Sequence, residues 1–227
     1  MSRFRHEDKY KIDLPQKEIL NIKVKTLLKP DEHAGKDNKY TIRSLYLDNI
    51  AEECLKDNLY GKDPRSKYRI RYYNNDTSHI VLEKKTKKRS MCLKESIIIS
   101  KKECEEIILG KIPIIKTNDS LLRKQILSDL LTKSLLPKTI VTYDRTPYVY
   151  GPGNVRITFD DNISSSNDIK HFLECDYIQR PILPIGQSIL EVKWDELLPK
   201  HIQNVMMLND LEWTAFSKYF MCRVMHI

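Results

Sequence analysis

Charged side chains recur at every second position in four separate stretches of this 227-residue chain. Lys67, Arg69 and Arg71 alternate with Tyr68, Ile70 and Tyr72. Glu83 and Lys85 sit two apart, as do Glu191 and Lys193, and Arg156 and Asp160 flank Thr158. Residues i and i+2 of a strand share a face. Each stretch therefore reads as a strand with charge on one side and apolar groups on the other. One such strand is an ordinary surface strand. Four point to a sheet curled around a charged, mostly cationic interior that suits a polyanion, above all a chain of phosphates. The expected class is α+β, a closed eight-stranded antiparallel β-barrel with helices packed outside. Closure removes exposed edges, and eight strands leave room for side chains or one ligand.

Composition narrows the partners. Lys and Arg number 39 against 31 Asp and Glu, a net charge of +8. That balance favours acidic partners. With 41% hydrophobic and 31% charged residues the chain is not of the disordered class. The five cysteines, Cys54, Cys92, Cys104, Cys175 and Cys222, form no C-x-x-C pair. Reduced thiols in a cytoplasmic protein are expected, not a disulfide framework or a zinc site. The stretch Met1–Glu7 lacks the apolar segment of a signal peptide, and no apolar run approaches the ~20 residues of a span. Residues 1–227 carry no linker-like boundary, so one domain is expected.

Punctuation and periodicity predict strands over 3–12, 40–48, 67–73, 79–86, 91–99, 139–149, 154–160 and 188–194. Helices are predicted over 15–29, 49–57, 100–109, 120–134, 198–208 and 211–222. Asn74-Asn75-Asp76 signals a hairpin, and Ser100 with Glu103 a capping box. Ser164–Ser166 reads as a polar loop.

Particular residues carry the chemistry. Arg5, Glu7 and Lys9 share one face of the first strand. Lys67, Arg69 and Arg71 set three cations about 6.6 Å apart on one face. Like charges there repel, a cost that a bound polyanion offsets; a strand facing nucleic acid would look similar. Lys85 and Lys94 are placed inside, and Lys84, Lys87 and Lys88 outside. Tyr143 and Arg145 lie on one hairpin strand and Arg156 on the next. Pairing could bring the two arginines together, or each could pair with Asp144 or Asp160. Glu191 amid cations is either a metal ligand, with Glu7 and Glu83 as helpers, or a simple ion-pair partner. No glycine-rich phosphate loop and no metalloprotease or serine-hydrolase signal is present.

Taken in order, Arg5-His6-Glu7-x-Lys9-Tyr10, Ile42–Asn49, Lys67-x-Arg69-x-Arg71, Leu82-Glu83-x-Lys85, Lys94, Tyr143-x-Arg145, Val155-Arg156-Ile157-x-x-Asp160, Leu190–Lys193 and Ser217-Lys218-Tyr219 form a set. The set resembles the VTC domain, the polyphosphate polymerase domain of the vacuolar transporter chaperone complex and its bacterial relatives, within the triphosphate tunnel metalloenzymes. The resemblance runs from residue 3 to about residue 220.

It implies a tunnel in which Lys9, Arg69, Arg71, Lys85, Lys94, Arg145, Arg156 and Lys193 bind and activate phosphate. Arg5, Lys67, Tyr143 and Lys218 would assist binding. Glu191, with Glu7, would hold Mn²⁺ or Mg²⁺. The implied reaction moves the γ-phosphate of ATP to a growing polyphosphate chain and releases ADP. Hydrolytic members open with Glu-x-Glu-x-Lys, whereas Arg5 stands at the first carboxylate position here. That departure favours polymerisation over triphosphate hydrolysis; a non-catalytic polyphosphate-binding module is the remaining alternative. No nucleic-acid partner is expected. Membrane association would come through a separate membrane-protein partner.

Overall fold

The computed structural model describes residues 3–35, 37–174, 176–207 and 211–226. Cys175, Lys36 in the expected 31–38 loop, and residue 208 at the expected end of a helix lie outside the described residues. Eight strands form one wall: β1 (Arg5–Ile12), β2 (Tyr40–Asp48), β3 (Arg65–Tyr73), β4 (Asp76–Lys88), β5 (Met91–Ile99), β6 (Leu136–Tyr150), β7 (Val155–Ser166) and β8 (Ser188–Trp194). Their order is β6-β2-β3-β4-β5-β1-β8-β7, and β7 pairs back onto β6. Every pairing is antiparallel, so the sheet is a closed eight-stranded barrel. Among the described residues six α-helices pack outside: α1 (Leu14–Leu27), α2 (Glu53–Leu59), α3 (Lys101–Ile108), α4 (Leu121–Thr132), α5 (Lys200–Met207) and α6 (Lys218–Val224).

Most of the core lies between wall and helices, while Tyr40, Ile42, Tyr46 and Tyr143 of the same core also line the barrel interior. Tyr68, Ile70 and Leu82 face outward and pack in one cluster with Ile126, Leu127 and Leu130 of α4. Phe159, Leu190 and Val192 do the same with Leu20 and Val24 of α1 and Ile202 of α5. Alternation then leaves the charged positions of the same strands pointing inward. Among the described residues no helix is long and apolar enough to cross a membrane.

Local chemistry explains most element ends. Asn74 and Asn75 turn the β3–β4 hairpin with φ of 50° and 58°, values that Asn tolerates well. Ser100 and Glu103 form the expected capping box on α3. Ser100→Ala is expected to cost about 1 kcal/mol. A thermal melt should show a midpoint lower by about 2–4 °C for a chain of this size.

Three elements differ from the sequence expectation. Ser164–Ser166, expected as a loop, are the end of β7 and pair with Ile140–Thr142. Their hydroxyls are accommodated by polar partners: Ser164 Oγ donates to Gln179 and Ser165 Oγ lies 2.9 Å from His226 Nε2. The short helix begins at Glu53 and not at 49, because the Asp48 carboxylate accepts the Cys54 and Leu55 N–H groups. Helix 211–222 is instead a strap followed by α6. Glu212 and Trp213 pair with β1 at Lys11 and Tyr10, and Ser217 caps a helix that starts at Lys218. The strap adds to β1, which among the described residues pairs with β5 only through Arg5–Cys92 and His6–Met91.

Candidate functional site

The barrel encloses a cavity of about 390 Å³. Among the described residues, fourteen lysines and arginines line it against two carboxylates, Glu7 and Glu191. Apart from Glu83, the lining includes every residue expected to bind phosphate or metal: Arg5, Glu7, Lys9, Lys67, Arg69, Arg71, Lys85, Lys94, Tyr143, Arg145, Arg156, Glu191, Lys193 and Lys218. Register explains the convergence. Glu7 lies opposite Lys193, Lys9 opposite Glu191, Lys67 opposite Lys85, and Lys85 opposite Lys94.

Each wall has its own arrangement. Arg69 donates from Nε to Glu83 at 2.7 Å and from Nη1 to the Tyr46 hydroxyl at 3.1 Å. Arg71 donates to Ser44 Oγ and to the Tyr143 hydroxyl, each at 3.0 Å. Arg145 grips Asp160 through two bonds of 2.6 and 2.7 Å, and its carbon lies 5.3 Å from the Tyr143 ring centre. Lys94 is half exposed and lies 3.4 Å from Glu83. Arg5 turns aside to Asp195 at 2.9 Å.

Glu191 is the charge hub. Lys193 and Lys218 each donate to it at 2.8 Å, Arg145 lies at 3.1 Å and Lys9 at 3.6 Å. Burial alone would raise its pKa; Lys193, Lys218, Lys9 and Arg145 together hold it well below the carboxylate range. Glu7 is likewise pushed up by burial but held low by Lys85, at 2.5 Å, with Lys9 and Lys193. Burial, with Arg145 and Lys85 nearby, brings the Lys193 ammonium down to about 8 despite Glu191 and Glu7.

The donor set for a metal is small. Among the described residues no three His, Cys, Asp or Glu side chains form a cluster. Among the described residues Glu7 Oε1 is nevertheless buried and accepts no hydrogen bond, with Lys193 at 3.5 Å and Lys9 at 3.9 Å. Mg²⁺ and similar hard ions bind through one or two carboxylates plus substrate phosphates. Glu7 and Glu191 fit that pattern.

Lys67 stands apart. Its ammonium donates to Asn58 Oδ1 at 2.8 Å and Ser217 Oγ at 2.7 Å, and no carboxylate is within ion-pair distance among the described residues. Burial, then the nearby Lys9, Lys85 and Arg65, push its pKa well below the usual lysine value. A base depressed in the folded state destabilises the fold most where both states are protonated, below the folded pKa. The penalty vanishes above the unfolded value of about 10.4. Lys67→Met is therefore expected to raise the thermal midpoint near pH 6. That gain should shrink as pH climbs toward 10, as melts across that range would show.

Several expectations need correction. Arg145 and Arg156 are not cross-strand neighbours; the β6–β7 register sets Arg145 opposite Asp160 and Arg156 opposite Val149. Arg156 instead donates to the Tyr40 hydroxyl and to Asp31, both at 2.8 Å. Lys87 lines the cavity, because β4 runs on to Lys88 and its alternation extends past Lys85. Lys84 does face outward, 2.6 Å from Asp129 of α4. Glu83 lies behind the arginines and does not line the cavity, so it is no helper at a metal there. Sequence reasoning missed the inner face of β2. Tyr40, Ile42, Ser44 and Tyr46 alternate there, a period-two signal that was legible.

The VTC domain model matches residues 4–226. The chain belongs to this family. No sequence among curated proteins matches it. Solved structures similar to this VTC domain include a Bacillus halodurans protein named for adenylate cyclase, 14% identical, with 95% of each chain covered and a TM-score of 0.54. A Hippeastrum protein named for adenylyl cyclase, with a dominant triphosphatase activity, is 12% identical; the match covers 100% of this chain and 97% of that one, at a TM-score of 0.56. At such identities the likeness is one of fold.

Proposed function

We propose that this VTC domain is a metal-dependent polyphosphate polymerase that transfers the γ-phosphate of ATP to a growing polyphosphate chain inside the barrel. The observation that carries the reading is the barrel cavity with fourteen cations and two carboxylates among its described lining residues. Phosphoryl transfer needs in-line positioning and charge neutralisation more than covalent help from the protein. The ring of Lys9, Arg69, Arg71, Lys85, Lys94, Arg145, Arg156 and Lys193 neutralises and aligns phosphate oxygens. Arg guanidinium groups contribute planar, bidentate donation and lysines contribute point charge. Lys67, Tyr143 and Lys218 complete the wall, and Arg5 stands at one rim. An anionic terminal phosphate as acceptor needs no general base. When held by Glu191 and Glu7, Mn²⁺ or Mg²⁺ supplies Lewis-acid polarisation of the phosphoryl group.

Triphosphate hydrolysis on the same barrel is the second reading, favoured by the activity of the Hippeastrum protein. Purified protein incubated with ATP and Mn²⁺ separates the two. Polymer on a gel, matched by ADP, supports polymerisation. Orthophosphate without polymer moves the assignment to hydrolysis, and the absence of turnover reduces it to a polyphosphate-binding module.

A further inference from the structure

Two inner-face carboxylates, Asp160 and Glu83, differ from Glu7 and Glu191: they do not line the cavity. Both are effectively sealed from solvent, at 0% and 1% exposure. Each lies behind cations that do line it. Asp160 takes both Arg145 bonds, at 2.6 and 2.7 Å, and Lys218 at 2.5 Å. Glu83 takes Arg69 at 2.7 Å, Lys94 at 3.4 Å and Arg71 at 3.9 Å. The two braces sit on different strands, β7 and β4, so they stiffen separate parts of the wall.

We propose that Asp160 and Glu83 are positioning residues that hold Arg145 and Arg69 in the orientation that grips phosphate. The proposal rests on the reading of the cavity as a phosphate site. A free arginine must freeze its long side chain when the ligand arrives. Arg145 is already fixed through Nε and Nη2, and Arg69 through Nε and Nη1. The ordering is thus complete before binding, which is the source of preorganised affinity.

The competing account is that these carboxylates only balance charge. The two accounts differ in sign. A mere counter-charge, once removed, leaves the cavity more positive and a polyanion binds more tightly. A brace, once removed, leaves binding weaker despite the added positive charge.

The test is titration of metal-free protein with tripolyphosphate by calorimetry, with thermal midpoints followed in parallel. Asp160→Asn is expected to weaken binding by about tenfold. In an Arg145→Lys background the same change should add less than about threefold, because its effect passes through Arg145. Tighter or unchanged binding in Asp160→Asn overturns the proposal, as does an undiminished effect in the Arg145→Lys background. If Asp160→Asn fails to fold, Glu83→Gln makes the same test through Arg69, with Arg69→Lys as its background. Failure of the unaltered protein to bind tripolyphosphate would sink the phosphate reading itself and the bracing role with it.

Discussion

Glu191→Gln is expected to slow phosphoryl transfer by about 10³-fold while leaving tripolyphosphate binding intact or tighter. Glutamine keeps the volume but removes the charge that would hold a divalent ion. The lost Lewis-acid contribution is worth several kcal/mol, hence the magnitude. Binding responds in the opposite direction, because Lys193, Lys218, Arg145 and Lys9 all lose a counter-charge that faces the cavity. A lower thermal midpoint accompanies the change, since those buried cations then repel one another without relief. Single-turnover transfer and calorimetric binding, measured on the same preparation, check the split. Turnover within tenfold of the unaltered protein would make Glu191 an ion-pair partner and not a metal ligand.

Asp48→Ala is expected to be the most destabilising of these substitutions, by about 4 kcal/mol, although Asp48 does not line the cavity. Its carboxylate is fully buried. It accepts the N–H groups of Asn49, Cys54 and Leu55 at 2.9, 2.9 and 3.0 Å, and the Tyr219 hydroxyl at 2.6 Å. Alanine would leave the start of α2 uncapped and a buried phenol unpaired. Tyr219 also stacks on Tyr46, with ring centres 5.0 Å apart, and follows Lys218 directly. Losing its anchor loosens the helix that delivers Lys218 to Glu191. The thermal midpoint should fall by roughly 10 °C. Asp48→Asn, which keeps the Oδ1 acceptor, should lose much less, and equal losses in the two variants would contradict this account of the cap.

Much of the site was legible because strand alternation is a local rule. Once Lys67, Arg69 and Arg71 are on a strand, their common face follows, and the barrel only has to choose that face as inward. The same rule, carried two residues further, would have placed Lys87 inside. What stayed illegible depends on contacts distant in sequence. Nothing near Asp31 marks it as the partner of Arg156, 125 positions later. Lys218 reaches Glu191 because a strap along β1 and a capped helix carry it there, and the 211–222 pattern reads as helix throughout. Ser164–Ser166 read as a loop because serine disfavours strands in general. In β7 the tertiary context overrides that, through pairing with β6 and partners such as Gln179 and His226.

The central claim, that the barrel interior is a phosphate and metal site, is tested most directly by diffraction from crystals grown with tripolyphosphate and Mn²⁺, using anomalous signal at the manganese edge. The account predicts phosphate groups inside the cavity, within hydrogen-bond distance of Arg69, Arg71 and Arg145, and a manganese peak beside Glu191 and Glu7. An empty cavity, or ligand and metal bound only on the outer surface, would contradict it.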